Sequence, residues 1–105
     1  MIELPTALRA IFENNKDDFQ SRVRTLEDAV AAIQIGTFDE LLRAAAERDA
    51  HRLAGSLGTF GLSRGSTLAR ELEQRFESAQ RFVVTDAAHL AEVVTALRAE
   101  LDTSA

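Results

Sequence analysis

The chain has 105 residues, of which 46% are hydrophobic, so it is long enough for one domain with one core and too short for two. It contains no cysteine, which excludes disulfide bonds, thiolate metal sites and thiol nucleophiles. The net charge is −5, and the 12 basic residues are scattered without interleaved aromatic residues, which argues against nucleic acid as a partner.

Residues that break secondary structure are few, which predicts an all-α fold. Pro5 is the single proline, three of the five glycines fall within residues 55–61, and no run of alternating β-branched residues predicts a strand. The first helix is predicted over residues 5–35, because proline is tolerated at the first helical position. Its apolar residues recur every three or four positions, with Asn15 filling one gap: Leu8, Phe12, Phe19, Val23, Leu26, Val30 and Ile33.

The second helix is predicted over residues 38–61. Gly36 is expected to cap the C-terminus of the first helix, and Gly61 to stop the second in a left-handed conformation. Thr37 to Glu40 form a predicted capping box, in which the threonine hydroxyl and the glutamate each bind an unpaired backbone amide. The apolar stripe of this helix comprises Leu42, Ala46, Ala50, Leu53, Leu57 and Phe60.

The remaining chain predicts two more helices, over residues 63–81 and 86–102, joined by a connection at residues 81–84. Ser63 is expected to cap the third helix, and Thr85 or Asp86 to start the fourth. Their stripes comprise Leu68, Leu72, Phe76 and Ala79, then Leu90, Val93, Val94, Leu97 and Leu101. Four striped helices with short connections predict one domain, residues 1–105, folded as an antiparallel up-down four-helix bundle. One such bundle buries all four stripes, so a monomer is expected.

The segment from Ala50 to Leu62 combines a histidine with glycines inside a predicted helix. Glycine in a helix interior costs up to about 1 kcal/mol relative to alanine, so its presence there implies an offsetting reason. His51, Gly55 and Gly58 have the spacing i, i+4, i+7, which stacks them on one helical face. This face points away from the core stripe, so another protein can bring a reactive group close to the imidazole. The pattern is typical of a transfer site.

The sequence lacks the residue patterns that metal sites, nucleotide-binding loops and enzyme active sites require. His51 and His89 are far apart in sequence, so there is no metal-binding histidine pair, and no strand precedes the glycines to form a nucleotide-binding loop. An exposed imidazole is mostly neutral at cytoplasmic pH, which leaves a ring nitrogen free to attack a phosphoryl group. We therefore expect a phosphocarrier without catalytic activity or a cofactor of its own, since an autonomous enzyme needs a pocket of clustered titratable groups.

Three segments together resemble the histidine phosphotransfer (HPt) domains of two-component systems: Ala50 to Ser56, Gly58 to Leu62, and Leu68 to Glu73. The Gly-Thr-Phe-Gly portion is most similar to the phosphotransfer domain of chemotaxis histidine kinases. The resemblance implies a four-helix bundle that carries a phosphoryl group on His51 to or from a receiver-domain aspartate, or receives it from a histidine kinase. It also implies that Glu73 hydrogen-bonds and orients the histidine. Because phosphoryl transfer depends mainly on positioning and charge neutralisation, Mg²⁺ is expected in the partner.

One position departs from this family. The family usually has lysine three residues after the histidine, where this chain has Ala54. Arg48 or Arg52 is expected to supply the missing positive charge, because the guanidinium fork binds phosphate oxygens. Gly55 and Gly58 are expected to line the partner surface, although close helix packing is a second explanation for them. The alternative function is a degenerate docking adaptor that binds a kinase or receiver without being phosphorylated.

The sequence also bears on where the chain resides. The first ten residues lack a basic start followed by an apolar run, and no stretch of eighteen apolar residues occurs. We therefore expect a cytoplasmic location without a membrane partner. The initial Met1 suggests a native N-terminus.

Overall fold

The computed structural model describes residues 5–78 and 84–103. These residues form four α-helices: α1 (Thr6–Ile35), α2 (Glu40–Thr59), α3 (Ser63–Ser78) and α4 (Val84–Thr103). Within the two described ranges there is no strand. The predicted all-α class is confirmed.

Each helix packs antiparallel to its neighbours in the chain, and α1 also contacts α4, which closes a four-helix bundle. Phe12 near the start of α1 contacts Phe60 at the end of α2, whereas Arg22 farther along α1 binds Asp49. The other neighbouring helices show the same reversed order of contacts: Arg43–Phe76, Ala54–Ser66, Glu71–His89, Arg64–Glu100, Glu27–Arg98 and Gln20–Asp102.

Helix α2 begins two residues later than predicted, at Glu40. Gly36 is left-handed with φ 78°, and the Thr37 amide donates to the Ala32 carbonyl at 2.9 Å, so the predicted glycine cap is confirmed. The predicted capping box is wrong: α2 begins at Glu40, and the Asp39 side chain accepts the Leu42 amide at 2.8 Å. Thr37 belongs to the C-terminal closure of α1, so the next strong N-cap residue starts α2.

The turn from α2 to α3 is tight. The helix ends at Thr59, and Gly61 is left-handed with φ 76°, as predicted. The amide of Leu62 donates to the Leu57 carbonyl at 2.9 Å, and the Leu62 carbonyl already accepts the Ser66 amide at 2.9 Å. Ser63 is therefore the first residue of α3, and its predicted capping role is wrong, because so short a turn starts the new helix one residue earlier.

The fourth helix starts earlier than predicted. Val84 and Thr85 are helical, so Asp86 lies in the first turn of α4, where its negative charge interacts favourably with the helix dipole. The prediction that Thr85 or Asp86 starts this helix is therefore wrong. The predicted end of the third helix, with Ala79, and the connection up to residue 83 lie outside the described residues.

The predicted apolar stripes form the core. Nearly all of their described members are buried, while Leu8, Leu42 and Leu68 are half-buried at its edge. Phe12, Phe19 and Phe60 meet with ring centroids 5.4–6.0 Å apart. These aromatic contacts fix the end of the bundle where α1 begins and α2 ends.

The closest packing near His51 joins α2 to α3. Ser66 is buried, and its hydroxyl donates to the Ala54 carbonyl at 2.7 Å. A Cβ atom added to Gly58 would lie 3.3 Å from the Ser66 Oγ, whereas one added to Gly55 would meet no atom within 4 Å. Gly58 therefore permits the approach of α3, and Gly55 does not serve internal packing.

Exchanging each of these two glycines for alanine separates the roles. We expect Gly55→Ala to raise the free energy of unfolding by about 0.5–1 kcal/mol, because alanine is the better helix former and its methyl group meets open space. Gly58→Ala should gain less or lose stability, because its methyl group crowds a hydroxyl that a hydrogen bond holds in place. Urea unfolding of both variants measures this difference. Equal stabilisation by the two substitutions would contradict the packing role of Gly58.

Candidate functional site

His51 lies on the exposed face of α2, and its side chain is 72% exposed. Its Nδ1 atom is 2.6 Å from Oε2 of Glu73 on α3, whose side chain is 21% exposed. The antiparallel packing of α2 and α3 brings these residues together across 22 positions of sequence. An exposed imidazole thus has one nitrogen bound by a carboxylate that the bundle holds in place.

This hydrogen bond determines which ring nitrogen can react. A carboxylate accepts hydrogen bonds, so the neutral imidazole carries its proton on Nδ1 and donates it to Glu73. The lone pair is then on Nε2. Nδ1 and Nε2 lie on opposite sides of the ring, so the nucleophilic atom faces away from Glu73.

The surface of α2 at Gly55, one helical turn beyond His51, is open, and we name it the open strip. Gly55 follows the histidine by four residues, and the space in front of its Cα holds no atom within 4 Å of a built Cβ. Gly58 is exposed but lies against Ser66, so its lack of a side chain has a reason inside the bundle. Of the two predicted surface glycines, only Gly55 is left without a packing reason.

The two arginines predicted to bind phosphate have different surroundings. Arg48 has a 62% exposed side chain, and its Nε is 3.8 Å from Oδ1 of Asp49. Arg52 is exposed and forms no hydrogen bond or ion pair with any described residue. Neither arginine hydrogen-bonds His51 or Glu73 in the part of the chain that the structure describes.

A buried acidic residue next to the site was missed by the sequence analysis. Asp49 is 7% exposed and accepts a 2.8 Å hydrogen bond from Arg22 of α1, which also binds Asp18. Burial alone lowers the pKa of the Arg22 guanidinium, but the hydrogen bonds and charges of Asp18 and Asp49 raise it above its ordinary value on balance. This network fastens α2 to α1 two residues before His51. The sequence signal was an acidic residue adjoining the core position Ala50.

The second histidine also has a carboxylate partner. Nε2 of His89 on α4 is 2.7 Å from Oε2 of Glu71 on α3, and the histidine side chain is 45% exposed. No glycine of α4 adjoins His89, so the open strip of the first site is not repeated there. This pair ties α4 to α3.

Two further properties describe the chain around the site. Among residues 5–78 and 84–103, no group of three or more histidine and acidic side chains is arranged to hold a metal ion. None of the described helices combines the length and apolar character that crossing a bilayer requires.

Comparison with known proteins gives one match. The family model of the Hpt domain matches residues 10–104, which includes His51, Gly55 and Glu73. No curated protein and no solved structure matches the chain. Because the match spans nearly the whole sequence, the chain belongs to the Hpt, or histidine phosphotransfer, domain family.

Proposed function

We propose that this protein is a phosphocarrier that receives a phosphoryl group on Nε2 of His51 and exchanges it with an aspartate of a receiver domain. The observation that supports this most strongly is the exposed imidazole whose Nδ1 lies 2.6 Å from Glu73. Membership of the Hpt family supports it independently, because Hpt domains carry phosphoryl groups in two-component phosphorelays.

The transfer is a single displacement at phosphorus. The Nε2 lone pair attacks the phosphorus of an aspartyl phosphate, a nitrogen–phosphorus bond forms, and the bond from phosphorus to the carboxylate oxygen breaks. The aspartate carboxylate leaves with the electron pair. The ring becomes positively charged, and its Nδ1 proton stays hydrogen-bonded to Glu73, whose negative charge stabilises the imidazolium. Reversing these steps returns the phosphoryl group to the aspartate.

The partner supplies the metal ion in this proposal. Phosphoryl transfer depends on positioning and on neutralising the charge of the phosphoryl oxygens, which Mg²⁺ commonly provides. In this proposal the bundle presents the ring, and a receiver domain or histidine kinase brings the Mg²⁺.

The exposed face of α2 around His51 is the proposed docking surface. Gly55 leaves room for the approaching chain, while Arg48 and Arg52 add positive charge beside the imidazole. A partner that carries an aspartyl phosphate presents negative charge, so the two arginines favour its approach. Docking alone, without phosphorylation, is the competing outcome that the following experiments distinguish.

Replacing His51 tests the acceptor directly. We expect the wild type to take up acid-labile, base-stable phosphate from a small phosphodonor or a phosphorylated receiver, and His51→Gln to take up none, because glutamine has no imidazole nitrogen. The matched control is His89→Gln, which removes the other carboxylate-bound histidine and should keep the label. Circular dichroism verifies that each variant remains helical. Absence of label on the folded wild type would favour the docking adaptor.

Replacing Glu73 tests the orienting contact. We expect Glu73→Ala to lower the rate of phosphoryl transfer by about tenfold or more, because the ring loses the acceptor that fixes its tautomer and orientation. Glu73→Gln should fall between this variant and the wild type, since its amide oxygen still accepts a hydrogen bond but carries no charge. Glu77→Ala, an exposed acidic residue on the same helix, serves as the control. A wild-type rate in Glu73→Ala would refute the orienting role.

Filling the space at Gly55 tests the docking surface. We expect Gly55→Leu to slow transfer from a phosphorylated receiver domain at least about tenfold, because the added side chain occupies the open strip. Phosphorylation by a small donor should slow less, since a small molecule still reaches Nε2. Comparing the rates of phosphate uptake from the two donors, measured at timed intervals, separates docking from chemistry. An equal loss with both donors would contradict the docking role.

A further inference from the structure

A phosphoryl group on His51 needs a cation that α2 does not place on the side facing α3. The group adds negative charge beside the carboxylate of Glu73 in a chain whose net charge is already −5. Ala54, three residues after the histidine, is 5% exposed, and its carbonyl accepts the Ser66 hydroxyl. Position 54 therefore lies in the α2–α3 interface and carries no charge.

Arg70 of α3 lies opposite this gap. Two contacts between the antiparallel helices bracket it: Glu73 with His51 and Ser66 with Ala54. On a regular helix, position 70 is rotated by about 60° from position 73 and by about 40° from position 66, so it shares their α2-facing side. Ser66 is buried and Arg70 is exposed, which puts the arginine at the outer edge of that side.

The level of Arg70 along the bundle corresponds to the open strip on α2. Along the bundle axis, Arg70 lies between Glu73 and Ser66 of α3. Glu73 contacts His51 and Ser66 lies against Gly58, and Gly55 lies between these two residues on α2. An arginine side chain at the edge of α3 can extend over this strip toward Nε2, because no side chain from Gly55 is in the way.

The guanidinium of Arg70 also has no hydrogen-bond or ion-pair partner among the described residues. Four other arginines bind carboxylates at 2.6–2.9 Å: Arg22, Arg43, Arg64 and Arg98. Arg70 forms no hydrogen bond or ion pair with residues 5–78 or 84–103. Binding a phosphoryl group there would break no ion pair within the part of the chain that the structure describes.

The arginines on α2 are less well placed for this task. Arg48 leans toward Asp49, which faces α1 and is held by Arg22. Arg52 is rotated by about 100° from His51 around α2, toward the side of Asp49 and away from α3. Both fit contacts with a docked partner better than contacts with the phosphoryl oxygens.

We propose that Arg70 binds the phosphoryl group on His51 and replaces the cation absent at position 54. This inference rests on the proposed phosphocarrier function. The guanidinium donates hydrogen bonds to the phosphoryl oxygens from the α3 side, while Glu73 holds Nδ1 of the ring. One helix thus supplies both the orienting carboxylate and the phosphate-binding cation.

The test compares Arg70→Ala with Arg70→Lys, with one matched control on α3 and with the rival arginine on α2. Arg75→Ala, the control, removes another exposed arginine of α3 that has no partner among the described residues. Arg52→Ala removes the α2 arginine of the docking surface and tests whether it, rather than Arg70, binds the phosphoryl group. The chain is phosphorylated with a small phosphodonor, so partner docking does not enter. Two quantities are measured: the rate of labelling, and the pH midpoint at which the phosphoryl group gains a proton, followed by ³¹P NMR.

We expect Arg70→Ala to be labelled about tenfold more slowly than the wild type, and its ³¹P midpoint to move to higher pH, because a neighbouring cation favours the doubly charged phosphoryl group. Arg70→Lys should retain most of both properties, and the Arg75→Ala control should match the wild type. A wild-type rate and midpoint in Arg70→Ala, or the same losses in Arg52→Ala instead, would overturn the assignment while leaving the phosphocarrier function intact. No label on the wild type would overturn both.

Discussion

The close approach of α3 to α2 determines what His51 is able to do. Gly58 leaves room for Ser66, and the Ser66 hydroxyl binds the Ala54 carbonyl at 2.7 Å. Two turns along α3, Glu73 then reaches Nδ1 of His51 at 2.6 Å. The hydrogen bond orients a ring that is otherwise largely exposed, so a defined ring geometry occurs on an open surface, as the proposed transfer requires.

The helices and the core followed from the sequence because their signals are strong and local. Apolar residues recur at helical spacing, and Gly36 and Gly61 adopt the left-handed conformation that ends a helix. The N-terminal caps were harder to predict, because several residues compete at each turn. Thr37 is used to close α1, which leaves Asp39 to cap α2.

The site was only partly predictable for a different reason. His51 and Gly55 are close in sequence, so helical spacing was enough to place them on one face. The contact with Glu73 spans two helices, and only the resemblance to a known family indicated it. The pairing of Asp49 with Arg22, and the position of Arg70 beside the open strip, depend on which helices become neighbours and at what register. Composition and periodicity carry no such information.

The proposed function requires that Glu73 fixes the Nδ1 proton of His51 and leaves Nε2 as the phosphoryl acceptor. Long-range ¹H–¹⁵N NMR of the His51 ring, recorded before and after phosphorylation of the ¹⁵N-labelled protein, tests it most directly. We predict a neutral ring protonated on Nδ1 that becomes phosphorylated on Nε2. A neutral ring protonated on Nε2, or a phosphoryl group attached to Nδ1, would contradict it.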